Sequence, residues 1–173
     1  MCKQTVKQAG AFTLVETLIV VVLLGILAAI VIPMIENSTT EAKDSALAHD
    51  LRMLRRYILI YKSQHLEVAP GYPNGQTNQT PTEQAFIEQI TMSSNAYGQT
   101  APIGTPGFDY GPYLLKIPVN PFNNKSTIEM LGDDEDFPAQ ADDSHGWIYK
   151  AATSEIRADN TGVNQHGKRY YDY

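Results

Sequence analysis

The sequence predicts an α+β protein in which a long N-terminal helix, half membrane-spanning and half amphipathic, packs against a small antiparallel sheet. Three observations predict it. An uncharged, almost wholly aliphatic run occupies 17–35. Beyond it Leu47, Leu51, Leu54, Ile58 and Tyr61 recur at alternating steps of four and three, the period of one helical face. The remainder of the 173 residues is rich in Gly, Pro, Asn and Asp and carries a few short runs of β-branched and aromatic residues near its end. Composition narrows the function. Hydrophobic residues make up 43% and charged residues 18%, so the chain is neither disordered nor collagen-like. A formal net charge of -6 argues against a nucleic-acid partner, because phosphate contacts need clustered cations. The single cysteine, Cys2, excludes an internal disulfide and a cysteine-based zinc site.

The first element is the apolar helix. Residues 1–10 are polar, with Lys3 and Lys7 and no acid. The apolar run that follows is long enough for a bilayer core of roughly 30 Å. Cations before it and Glu36, Glu41 and Asp44 after it predict a cytoplasmic N-terminus. An ordinary signal peptide has a shorter apolar core that ends at a small-residue cleavage site; here Ala28 and Ala29 are followed by Ile30 and the run continues. Glu16 stands near its start, where a carboxylate either finds a partner or snorkels to the interface. Cys2 precedes the apolar run, the wrong side for a lipoprotein cysteine.

Gly-Ala-Phe-Thr-Leu-Val-Glu at 10–16, followed by the Val/Leu/Ile run and Gly-Ile-Leu-Ala-Ala-Ile-Val-Ile-Pro at 25–33, resembles the class III signal of type IV pilins and type II secretion pseudopilins. The resemblance implies a basic leader removed by a prepilin peptidase, N-methylation of the new N-terminal residue, and retention of the apolar helix as the core of a homo-oligomeric filament. In the family the glutamate lies four residues after the new N-terminus and the proline seventeen after the glutamate. Glu16 and Pro33 have that spacing, which implies cleavage between Ala11 and Phe12 and methylation at Phe12. The residue before the cut is usually Gly and here is Ala11; cleavage after Gly10 is the alternative. The resemblance also implies that Glu16 pairs with the amino terminus of Phe12 on a neighbouring subunit, where a missing partner is strongly penalised. The implied divisions are a leader at 1–11, a transmembrane and filament-core helix at 12–35, an amphipathic helix at 36–66 and a C-terminal globular region at 67–173.

The second half of the helix buries the 47–61 stripe, widened by Ala46, Met53, Tyr57 and Ile60, and continues to about His65. Pro33 removes one backbone donor and is expected to kink or loosen it. Residues 70–79 read as a turn-rich linker. Thr80, Pro81 and Glu83 then read as an N-cap, a first-turn proline and a capping-box acid, opening a short helix with Phe86, Ile87 and Ile90 inward. The segment Tyr-Leu-Leu-Lys-Ile-Pro-Val-Asn-Pro-Phe at 113–122 resembles one in the major pseudopilin of type II secretion, with Asn120 for Asp and Phe122 for Trp. Three strands are expected at 127–131, 147–150 and 155–158, with Trp147 and Tyr149 closing the core. The tail from Asn160 is polar and reads as loosely held.

No nucleotide loop, no HExxH and no GxSxG occurs, and His49, His65, His145 and His166 have no metal-ligand spacing. The chain reads as no enzyme, so a separate cytoplasmic ATPase would drive assembly on an inner-membrane platform. Asp133, Asp134, Asp136, Asp142 and Asp143, with Glu135, offer hard oxygen ligands for calcium. The resemblance to calcium-carrying major pseudopilins favours that ion, although these residues do not map one by one onto that motif; a solvated acidic loop is the alternative. Loss of 1–11 takes Lys3 and Lys7 with it, moving the formal charge from -6 to -8. The implied function is a structural subunit of a type II secretion pseudopilus or a type IV pilus-like filament, in the inner membrane and then in the filament, supporting protein secretion across the outer membrane. The competing reading is a single-pass anchor that displays an acidic receptor domain and never polymerises.

Overall fold

The structure, a computed structural model, describes residues 13–173; within it the side chains of 31–38 lie outside the description. Helix α1, Leu14–Gln64, runs for 51 residues, and its backbone stays helical through Pro33. Two compact units divide inside it, Met1–Ala42 and Lys43–Tyr173. Among the described residues no helix is long and apolar enough to cross a membrane. Described side chains in the apolar run stop at Ile30, inside the 17–35 span that the sequence presents.

In the second unit α1 buries the expected stripe. Leu47, Leu51, Leu54, Ile58 and Tyr61 are each at most 1% exposed and belong to one buried cluster with side chains of the sheet and loops. Ala46, assigned to the edge of that stripe, is exposed. The turn-rich segment after α1 is not a free linker: Ala69, Pro70, Gly71 and Tyr72 are buried. Gln89 of helix α2, Glu83–Thr91, holds it there. Its Oε1 accepts from Gly71 N at 2.7 Å, and its Nε2 donates to Tyr72 O at 2.9 Å and Gly98 O at 3.0 Å.

The cap of α2 lies two residues later than expected. Thr82 is the N-cap and its hydroxyl accepts from Ala85 N. Glu83 does not close a capping box; its carboxylate accepts the main-chain N–H of Ile128 at 2.7 Å instead. A charge-assisted bond to the first residue of a strand is stronger than a neutral one, and it ties α2 to the sheet.

Strands β1, Ser93–Ser94, and β2, Thr100–Ala101, form a two-residue antiparallel ladder in a segment that reads as loop. The main sheet has the order β3-β4-β5, with β3 Ile128–Leu131, β4 Trp147–Lys150 and β5 Glu155–Ala158. Its positions match the sequence expectation, but the sheet is mixed: β4 and β5 are antiparallel, whereas β3 and β4 are parallel, with Ile128 opposite Trp147. A parallel pair needs a crossover of a dozen or more residues, which 132–146 supplies. Strand periodicity carries no information about direction.

Strand β4 is covered on both sides. Trp147 and Tyr149 face α1 and α2, with the Phe86 ring 4.7 Å from that of Tyr149, while Ile148 packs with Leu131 and Tyr171 in a second cluster. The tail is therefore not loose. Tyr170 and Tyr171 are buried, Arg55 donates to the main-chain oxygens of Ile156 at 3.1 Å and Tyr173 at 2.7 Å, and the Tyr173 hydroxyl donates to Asp44. Its polar composition concealed tyrosine and arginine contacts that only the fold brings together.

Candidate assembly site and acidic loop

The helix start is built from local chemistry. Thr13 caps α1: its Oγ1 accepts from Glu16 N at 3.2 Å, and its carbonyl accepts from Glu16 N at 3.1 Å and Thr17 N at 3.2 Å. Glu16 thus sits in the first turn, where the positive end of the helix dipole favours a carboxylate. Its side chain is exposed and has no partner among the described residues. Around it the large apolar side chains from Leu14 to Ile30 are each 49% to 81% exposed. An unbroken apolar surface of this kind requires lipid or another protein to cover it. Gly10, Ala11 and Phe12, the expected processing residues, lie outside the described residues, as does the side chain of Pro33. The Thr13 cap was missed in the sequence, although Thr-x-x-Glu is itself a capping pattern.

The acidic residues do not converge. Asp133 accepts from the Tyr72 hydroxyl at 2.7 Å; burial and this neighbouring carboxylate push the Tyr72 phenol up to about 12. Asp134 and Asp136 are exposed. Asp142 accepts from Ser144 N at 2.9 Å, and hydrogen bonds from Ser144 hold its carboxyl below the usual carboxylate range. Asp143 accepts from Asn160 Nδ2 at 2.9 Å and from the Thr161 hydroxyl.

The centre of this region is a residue that sequence reading passed over. Asp159 is fully buried. Its Oδ1 accepts from Asp142 N at 2.9 Å and Asp143 N at 3.1 Å, and its Oδ2 from His145 N at 2.7 Å and Ser144 Oγ at 3.3 Å. Lys125 Nζ donates to Asp143 O at 2.8 Å and Ser144 O at 3.0 Å from the other side. The end of the crossover is thus wrapped around one carboxylate. No three His, Cys, Asp or Glu side chains gather as a metal site among the described residues. The groups aimed at Asp159 are donors, which satisfy an anion and repel a cation.

Asn120 supports the same turn. It is fully buried, its Nδ2 donates to Gly146 O at 3.0 Å, and its Oδ1 accepts from Phe122 N at 3.0 Å. An ionised Asp has no donor for that carbonyl. Gly146 is required beside it, since a Cβ there would stand 2.2 Å from Lys125 O.

Residues 6–32 match the family described as the prokaryotic N-terminal methylation motif. The chain is 29% identical over 121 residues to type II secretion system core protein G of Pseudomonas aeruginosa, covering 68% of this chain and 71% of that protein. It is 28% identical over 131 residues to the protein of the same name from Vibrio cholerae, covering 76% and 77%. No solved structure gives a significant match. A methylation motif thus opens an exposed apolar helix, in a chain that is similar to the core protein G of two type II secretion systems.

Proposed function

We propose that the chain is a structural subunit of a type II secretion pseudopilus and not an enzyme. In this reading a prepilin peptidase cuts between Ala11 and Phe12, Phe12 is N-methylated, and the subunits assemble on an inner-membrane platform into a filament that supports secretion across the outer membrane. Before assembly the subunit is a single-pass inner-membrane protein with a cytoplasmic N-terminus and a periplasmic C-terminal unit. The observation that carries the reading is Glu16, without a partner among the described residues, at the head of an exposed apolar helix. Lipid covers that surface in the free subunit and neighbouring helices cover it in the filament. The Phe12 amino group of a neighbour supplies the missing partner of Glu16 in a low-dielectric core, where an unpaired charge is costly. The pair then sets register during docking.

The test is co-expression with a prepilin peptidase and assembly platform, followed by intact-mass measurement and filament isolation. The expected product starts at N-methylated Phe12, and Glu16→Ala inserts in the membrane but yields no filaments. An uncut chain, with the peptidase active on a control substrate, or a normal filament yield from Glu16→Ala, refutes it.

A further inference from the structure

In the globular unit the exposed α1 positions Ser45, His49, Arg52, Arg56, Leu59 and Ser63 repeat at steps of four and three. They form one stripe on the side opposite the buried Leu47–Tyr61 face. Arg52 and Arg56 are four residues apart on it and repel one another. Neither makes a hydrogen bond or ion pair with any described residue, and neither has an acid three or four positions away along the helix. Leu59, 61% exposed, adds apolar surface beside them. Elsewhere in the chain acids outnumber cations. The chain carries a formal -6, and the 132–146 crossover presents Asp134 and Asp136, both exposed and unpartnered among the described residues.

We infer that the Arg52–Arg56–Leu59 face of α1 docks against the Asp134–Asp136 end of the crossover of a second copy of this chain. The occupant follows from charge complementarity: two acidic units repel unless the basic face of one meets the acidic loop of the next. The two patches differ, so the contact is heterologous, and a heterologous contact that does not close propagates as a helical filament. The inference rests on the filament reading above and names which surfaces meet. Each exposed ion pair is weak. Repeated along a filament the pairs act together, and they fix which surfaces align more than how tightly they bind.

The experiment uses the full chain with its peptidase and assembly platform. Arg52→Glu with Arg56→Glu is expected to lower sheared-filament yield by roughly tenfold at low ionic strength, and less as salt screens the contact. Asp134→Lys with Asp136→Lys is expected to do the same, and the four substitutions together to restore the yield. Arg56→Cys and Asp136→Cys, co-expressed as two single variants, are expected to form a disulfide-linked dimer within filaments. Protease resistance is expected to be unchanged throughout, since these side chains bond to no other described residue. Wild-type yield from the arginine reversals overturns the inference. So does failure of the fourfold variant to recover when each double reversal alone abolishes assembly, which assigns the face to a different partner. An unsubstituted chain that is processed but forms no filaments overturns the filament reading itself, and this inference with it.

Discussion

Removing the Asp159 carboxylate is the sharpest perturbation of the globular unit. In Asp159→Ala three main-chain donors, on Asp142, Asp143 and His145, lose an acceptor at 2.7 to 3.1 Å. Hydrogen bonds to a charged group contribute about 1.5–3 kcal/mol each, but water reaches the outer side of this loop and recovers part of the loss. The net destabilisation expected is ~2–4 kcal/mol, a large share of the roughly 5–15 kcal/mol that holds a typical domain. At about 3 °C per kcal/mol for a unit of this size, the melting temperature falls by ~10 °C. Asp159→Asn keeps one oxygen acceptor but turns an amide N–H towards His145 N or the Asp142 and Asp143 donors, and should lose about half as much. Trp147, the single tryptophan, follows Gly146, whose carbonyl accepts from Asp159 N at 3.2 Å, so its fluorescence reports this region directly. Melting followed by that signal, in excess chelator and again in excess calcium, is the assay. The two curves should superimpose. A drop below ~2 °C for the alanine variant would refute the claim that the carboxylate organises the crossover. A calcium-dependent rise in the unsubstituted protein would refute that expectation.

Two further outcomes follow from the core. Phe86→Ala empties a fully buried site against Tyr149 and should cost about 3–5 kcal/mol, whereas Leu59→Ala, on the exposed side of α1, should change stability by less than ~0.5 kcal/mol; equal effects in denaturant melts would mean the helix faces are misassigned. His65 is buried and stacked 3.7 Å from the Tyr61 ring, its Nδ1 bonded to Tyr61 O at 2.7 Å and its Nε2 to Ser94 Oγ at 2.9 Å. A carbonyl can only accept, so Nδ1 carries the proton and neutral Nε2 accepts. Burial lowers the imidazole below its ordinary value of 6.5, with the Tyr61 bond acting the other way. The unfolded chain therefore binds more protons in the window below 6.5, and stability should be complete above it and decline as pH falls through it. His65→Gln should remove that part of the pH dependence; an unchanged profile would count against it.

Much of this architecture was legible because it rests on local periodicity and composition. The buried stripe from Leu47 to Tyr61 follows from steps of four and three that any helix must place on one face. The three main strands fall within a residue of where β-branched and aromatic runs put them. Glu16 announced itself as a charge where a charge is costly, and the exposed helix around it gives that signal a physical setting. Other features depend on residues far apart in the chain. Thr80 and Thr82 offer nearly equal caps, and Glu83 was drawn away from its own helix by the N–H of Ile128, forty-five residues on. The five candidate calcium ligands were grouped by proximity in sequence, but the fold pairs Asp133 with Tyr72, Asp142 with Ser144 and Asp143 with Asn160, leaves Asp134 and Asp136 exposed, and puts the unremarked Asp159 at the centre.

The chain alone thus carried its class, its helix faces, its strand positions and the processing motif, because each is written in neighbours a few residues apart. Strand direction in the β3–β4 pair, the burial of the 69–72 turn, the anchoring of the Tyr170–Tyr173 tail and the role of Asp159 came only from the folded state. Those features are settled by which distant donor meets which acceptor once the core has closed, and no local pattern encodes that meeting.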